Sequence, residues 1–306
     1  MKKIIATALL CATMLAGAIC AKAQTVTKSS EFSTFTAIDA CYNYEIVIKD
    51  SPSHKVEWIV DEIVEDLVQI YQQGSVLKLA FDKKAMTKEQ KKYFKGKNAP
   101  KMTLKVTIYT PDIESITIKD EVHVDASGAT FNANSFNLSM EDETTLNTMT
   151  VKANSAVIQT SDKAVANMTV DSRKIEVKGA KKSAVMLNIK DCEQLIIKSE
   201  GDFDLDIAGD VVNGVSIQAA GSSKIALEKG TTPQLLFTSK NSAELDATAY
   251  ETKKAEFAMT GGKAYINATE VVKLDLKGSL VSFMNDPVID IVKVEKSTIT
   301  HFNGKK

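Results

Sequence analysis

The sequence predicts an all-β chain, a right-handed parallel β-helix or solenoid assembled from ten-residue strand-turn units. Three observations predict it: a hydrophobic repeat with a ten-residue period, glycines and short polar residues between the repeats, and a less regular β unit ahead of them. Every tenth residue from Ile175 is apolar, through Val185, Leu195, Leu205, Val215, Ile225, Leu235, Leu245 and Ala255. A second column runs two residues later through Val177, Leu187, Ile197, Ile207, Ile217, Leu227, Phe237, Ala247 and Phe257. Positions two apart on a strand face the same way, so each unit is a short strand with two inward side chains and a turn.

One such strand buries too little by itself, since ~25 cal/mol per Å² of apolar area falls short of the backbone entropy lost on ordering it. Stacked units share a continuous interior, and parallel rungs ~4.8 Å apart satisfy one another's backbone hydrogen bonds. Coils of two or three units, about 20 or 30 residues, both suit the pattern. The competing architecture is an antiparallel sandwich, whose strands also recur every eight to twelve residues. A sandwich has no need to hold one register through so many successive units, and a solenoid gains from doing so. The right hand follows from the crossover rule for parallel strands.

Gly179, Gly201, Gly209, Gly221 and Gly230 read as turn residues between the apolar pairs. Earlier units such as Phe136-x-Leu138-x-Met140 and Ala156-x-Ile158 are looser, and later ones, Ile266 and Leu274-x-Leu276, drift by one residue.

Three regions result. Residues 1–23 read as a signal peptide: Lys2 and Lys3, an apolar run from Ile4 to Cys20, and Ala21-Lys22-Ala23 before a cleavage point at Gln24. Lipidation at Cys20 is disfavoured because Ile19 and Gly17 occupy positions that call for other residues. Residues 24–103 form the N-terminal β unit. It has strands at Glu45–Lys49, Val56–Val60 and Val76–Phe81, and a short helix over Asp61–Ile70 with Ile63, Leu67 and Ile70 on one face. Within it, residues 82–101 are an insertion carrying eight lysines, with a helical turn over Thr87–Phe94. A solvated charge run is the first reading of that insertion, and a docking patch for acidic glycans or anionic lipid the second. Residues 104–306 form the solenoid, beginning at the alternating strand Leu104–Ile108.

Composition excludes several functions. A net charge of −1 argues against nucleic acid, which is bound through a clustered basic surface. Arg173 is the lone arginine, so bidentate capture of phosphate or carboxylate has little to draw on. No stretch after the signal approaches the ~20 apolar residues of a membrane span. His54, His123 and His301 are scattered rather than spaced as metal ligands, and neither a nucleophile elbow nor a phosphate-cradling glycine loop occurs. The carboxylates of Asp202, Asp204 and Asp206 point outward together, which could suit Ca²⁺ or sugar hydroxyls, although a solvated strand face accounts for them. Cys41 and Cys192 read as two free, buried thiols, with a disulfide as the alternative. The reading therefore assigns no catalytic, cofactor-binding or metal residues, and no cofactor.

Several segments carry a resemblance. Phe35-Thr36-Ala37-Ile38-Asp39 resembles the opening strand of the GIN-domain family of exported, auto-transporter adhesin head domains, Tyr44-Glu45-Ile46-Val47-Ile48 matches it further, and Leu104 to Ile108 followed by Thr110-Pro111-Asp112-Ile113-Glu114-Ser115-Ile116 resembles its strand, proline and strand unit. Ala126-Ser127-Gly128-Ala129-Thr130 and Ala220-Gly221-Ser222-Ser223-Lys224-Ile225 resemble its Ser-Gly-Ala-Ser turn. Gly278 to Phe283 with Asn285-Asp286-Pro287 resembles its C-terminal signature, whereas most other repeats here have lost the turn motif. The resemblance implies a β-helical fold and brings no catalytic residues.

The function expected is an exported, non-catalytic binding or adhesion module, in the periplasm or at the cell surface, presenting its solenoid to a glycan, a matrix protein or an envelope partner. A polysaccharide-active β-helix enzyme and a purely structural envelope protein are the alternatives.

Overall fold

The structure, a computed structural model, describes residues 24–301, so the signal segment lies outside the described residues. The chain coils through about nine turns of a β-solenoid. Every residue of both predicted columns is buried. In space, however, each column divides into two. Ile175, Leu195, Val215, Leu235 and Ala255 stack in register on one sheet, while Val185, Leu205, Ile225 and Leu245 stack on the sheet opposite. Successive ten-residue units therefore lie on opposite faces, and a coil holds two of them. The two sheets enclose one core, and within a column Phe237 meets its ladder partner Phe257 edge-on with ring centroids 6.0 Å apart. The late drift is a shortening of the coil that begins at the corner between Thr260 and Lys263, before Ile266, and continues through register shifts between Ala247 and Glu251 and between Thr252 and Lys254, before Leu274.

One corner of every coil is turned by a residue with positive φ. Tyr42, Asp120, Asp142, Asp162, Lys181, Gly201, Gly221, Asn241, Gly261, Gly278 and Lys296 all have this conformation. Their flanking strands pair in register, as Lys181 with Gly201 shows directly. Glycine, Asp and Asn fill most of this column because they tolerate the left-handed region best. Just inside the corner, serines cap the turn: Ser183 Oγ donates to the Ala180 carbonyl at 2.8 Å, and Ser223 Oγ to the Ala220 carbonyl at 2.8 Å.

Gly179 departs from its predicted role as a turn residue. It lies inside the long strand Val165–Lys181, paired with Thr160 and Ser199. A Cβ there would sit 2.2 Å from the ring of Phe203. The glycine is present for space, since Phe203 occupies a level of the core where the equivalent positions above and below are Ser183 and Ser223.

The N-terminal segment completes and closes the first coil. Strands Ala37–Cys41 and Glu45–Asp50 pair in parallel with Ser115–Lys119 and with Leu104–Thr110 and His123–Asp125. Outside them run antiparallel partners: Thr25–Glu31 on Lys55–Asp61, which pairs with Leu104–Thr110, and Val68–Gln73 on Val76–Phe81. The helix predicted over Asp61–Ile70 is a 3₁₀-helix, Glu62–Leu67. Three residues per turn set Val64 and Leu67 inward and leave Ile63 exposed, while Ile70 belongs to the next strand. Asp61 does not cap it; its carboxylate accepts from the Thr103 N–H at 2.8 Å.

In the lysine-rich insertion the helical turn forms over Lys88–Tyr93, with a capping box between Thr87 and Gln90. Met86 anchors it in the core, and Gln90 Nε2 donates to the Ile63 carbonyl at 2.6 Å. All eight lysines are exposed, and Lys83 Nζ lies over the Tyr42 ring, 5.5 Å from its centroid.

Candidate functional site

The outward side chains of a solenoid form rows, one residue per coil, and one row borders an open concavity. Ser139, Gln159, Lys178, Lys198, Gln218 and Thr238 stand directly above one another, a row about 24 Å long at ~4.8 Å per rung. They line an open groove of about 720 Å³. Gly179, Ala180, Ala219 and Ala220, near the glycine-rich corner, also line it and leave room; Glu141, Glu200 and Lys240 bring charge.

Polar and charged side chains stand along the groove between small apolar ones. Lys178 and Lys198 both approach Glu176 Oε1, at 3.5 and 3.0 Å. The Lys198 hydrogen bond is the main cause holding the Glu176 carboxyl below its ordinary range. Ser199 borders the groove with a buried Oγ that has no protein partner. No aromatic side chain lines it.

The residues weighed from sequence lie elsewhere. Asp202, Asp204 and Asp206 are exposed on and beside the opposite sheet, with Phe203, Leu205 and Ile207 buried between them. His54 packs on Phe35 at 5.0 Å and lies 3.3 Å from Thr110 Oγ1. His123 Nδ1 is 2.8 Å from Thr145 Oγ1, and His301 Nε2 is 3.3 Å from Asp286. Among the described residues no three His, Cys, Asp or Glu side chains cluster as metal ligands. No helix among them is long and apolar enough to cross a membrane.

Both described cysteines are free, Cys192 buried and Cys41 only half-buried. Five rungs, about 24 Å, separate their strands, beyond the reach of a disulfide. Burial pushes the Cys192 thiol up from 9.0 to about 11. A value raised in the folded state means that this contribution is complete below the unfolded value, 9.0, and is lost as pH rises through about 11. The stability advantage of the native chain over a Cys192→Ala variant is therefore expected to shrink across that window, read as melting temperature against pH. An advantage that stays constant would show that the thiol ionises freely in the fold.

The groove itself was not identified from sequence. Its signal was present, because Lys178, Lys198, Gln218 and Thr238 each follow a member of the second apolar column, twenty residues apart. That spacing becomes meaningful only when the coil is known to hold two units.

Comparison with known proteins follows the same lines. The family model described as "Putative auto-transporter adhesin, head GIN domain" matches residues 34–193 and 161–284. A crystal structure of a "putative adhesin" from Parabacteroides merdae aligns with TM-score 0.51 and 14% identity, covering 92% of this chain and 97% of that one. A "putative lipid binding protein" from Parabacteroides distasonis aligns with TM-score 0.45 and 14% identity, over 91% and 97% of the two chains. A "putative adhesin" from Bacteroides fragilis gives 0.37 and 16%, over 92% and 98%. Among curated proteins none matches. At such identities the first of these likenesses speaks for the fold alone, whereas the family match spans most of the sequence, and by it this chain belongs to the GIN-domain family of auto-transporter adhesin heads.

Proposed function

We propose that the chain is an exported, non-catalytic adhesion module that works in the periplasm or at the cell surface, and that its groove holds an extended glycan. The observation that carries this reading is the straight row of Gln, Lys, Ser and Thr side chains along six rungs. A polymer with hydroxyls recurring along its length can meet such a row repeatedly. With no aromatic platform in the groove, contact is by hydrogen bonds, each weak, and affinity accumulates through repetition.

The test is retention of the chain, from residue 24 onward, on arrays of neutral and acidic glycans, beside matrix proteins as competing ligands. Replacing Gln159, Lys198 and Gln218 together by Ala removes three exposed side chains from the row and is expected to weaken binding at least tenfold. The melting temperature should hardly move, because exposed ion pairs such as Lys198–Glu176 contribute little. Retention by no glycan, or by a glycan the triple variant still holds, would overturn the assignment.

A further inference from the structure

The two ends of the solenoid are built differently. At the N-terminal end one sheet is edged by Val68–Gln73, whose Val68 and Ile70 are half-buried, and the opposite sheet by Thr25–Glu31, which is polar and charged with Val26 its single aliphatic residue; both edges run antiparallel to their neighbours. At the C-terminal end the last strand of one sheet, Val288–Glu295, has every residue exposed. Val288, Ile289, Ile291 and Val292 are 69, 43, 57 and 56% exposed. Ile289 and Ile291 continue the core columns above Val272 and Leu274, and Val294 continues the column above Leu276. They are core residues with nothing stacked above them among the described residues, beside a row of backbone N–H and C=O groups whose only ladder partner is the strand below.

The charges on this strand say what fits it. Along the outer face each rung opposes the one before: Asp290 lies over Lys273, Lys293 over Asp275 and Glu295 over Lys277. The next strand should place a cation against Asp290, an anion against Lys293 and apolar residues against Ile289 and Val294. Val288–Glu295 meets those requirements itself when reversed. Laid antiparallel on a second copy about a two-fold axis between Ile291 and Val292, it sets Asp290 opposite Lys293, Ile289 opposite Val294 and Ile291 opposite Val292. Residues directly opposite in an antiparallel pair share a face, so inner residues meet inner and outer meet outer. Val292, the extra residue where the ladder shifts between Leu274 and Asp275, falls at the axis. Shifting the two-fold onto Asp290 would oppose it to its own copy, an unfavourable pair of like charges.

We infer that the C-terminal end of the solenoid is a homodimer interface, in which two copies join end to end by antiparallel pairing of Val288–Glu295. Such a contact is isologous and closes on itself. The dimer would carry two copies of every outward row on one particle, with the N-terminal ends pointing away from each other.

The test is a charge exchange on the chain from residue 24 onward, read by sedimentation velocity over a concentration series. The unmodified chain is expected to dimerise with a Kd of about 10 µM or tighter. Asp290→Lys alone and Lys293→Asp alone each place like charges opposite one another twice, and should weaken the dimer about tenfold or more. The double exchange restores both pairs and should restore the dimer. Ile291→Glu, at a position exposed in the single copy, should abolish it without lowering the melting temperature. A chain that stays monomeric at 100-fold higher concentration overturns the inference. So does a dimer indifferent to these substitutions, or one that both single exchanges weaken and the double exchange fails to recover.

Discussion

Gly179→Ala is expected to destabilise the solenoid by about 3 kcal/mol, a large effect for one methyl group. The position is buried in a strand, where alanine would ordinarily be welcome, and the whole penalty comes from the Phe203 ring 2.2 Å from the added Cβ. Phe203 is itself fully buried, so Phe203→Ala should cost about 4 kcal/mol through the cavity it leaves. The double variant should cost clearly less than the sum, because the methyl at 179 then enters space vacated by the ring. Neighbours of this kind couple by about 1–3 kcal/mol. Urea unfolding of the three proteins measures it, and strictly additive losses would mean that something other than the ring forbids a side chain at 179.

Gly221→Val is expected to cost at least about 3 kcal/mol, for a backbone reason. The residue sits at φ +75° in the corner column, and a Cβ would meet the N, O and Cα of Gly201 in the coil below at 2.7–2.9 Å. A β-branched residue is poorly accommodated at positive φ. The contacted atoms are backbone and cannot step aside without breaking the stacking of both coils. Asn241→Gly, one coil further on at φ 64°, is the control and should change stability little, since both residues accept that conformation. Thermal unfolding of the pair decides it; a Gly221→Val protein as stable as the native one would show that the corner is not a rigid ladder.

Much of the interior was legible from the primary structure. The two apolar columns follow from the alternation of side chains along a strand, and all of their members are buried. The insertion's helical turn, read over Thr87–Phe94, forms over Lys88–Tyr93, where Thr87 and Gln90 cap it locally. The misreadings share a cause. Gly179 was read from composition as a turn, but its reason is Phe203, one coil away in space. Ile63 was placed inside by α-helical spacing, whereas the chain winds as a 3₁₀-helix and buries Val64. The groove escaped notice because its row is defined by neighbours about twenty residues apart, and that distance means adjacency only after the coil length is known.

By itself the sequence determined that the chain is all-β, that it repeats every ten residues, and which side chains turn inward, because all three are written in the local period of two along a strand and in its recurrence. The tertiary structure alone decided that successive units take opposite sheets, that Gln159, Lys178, Lys198 and Gln218 share one outer row, and that among the described residues the strand Val288–Glu295 leaves its column residues exposed. Those are relations between coils, set by the register of parallel hydrogen bonding between residues about twenty apart, and a period read along the chain does not carry them.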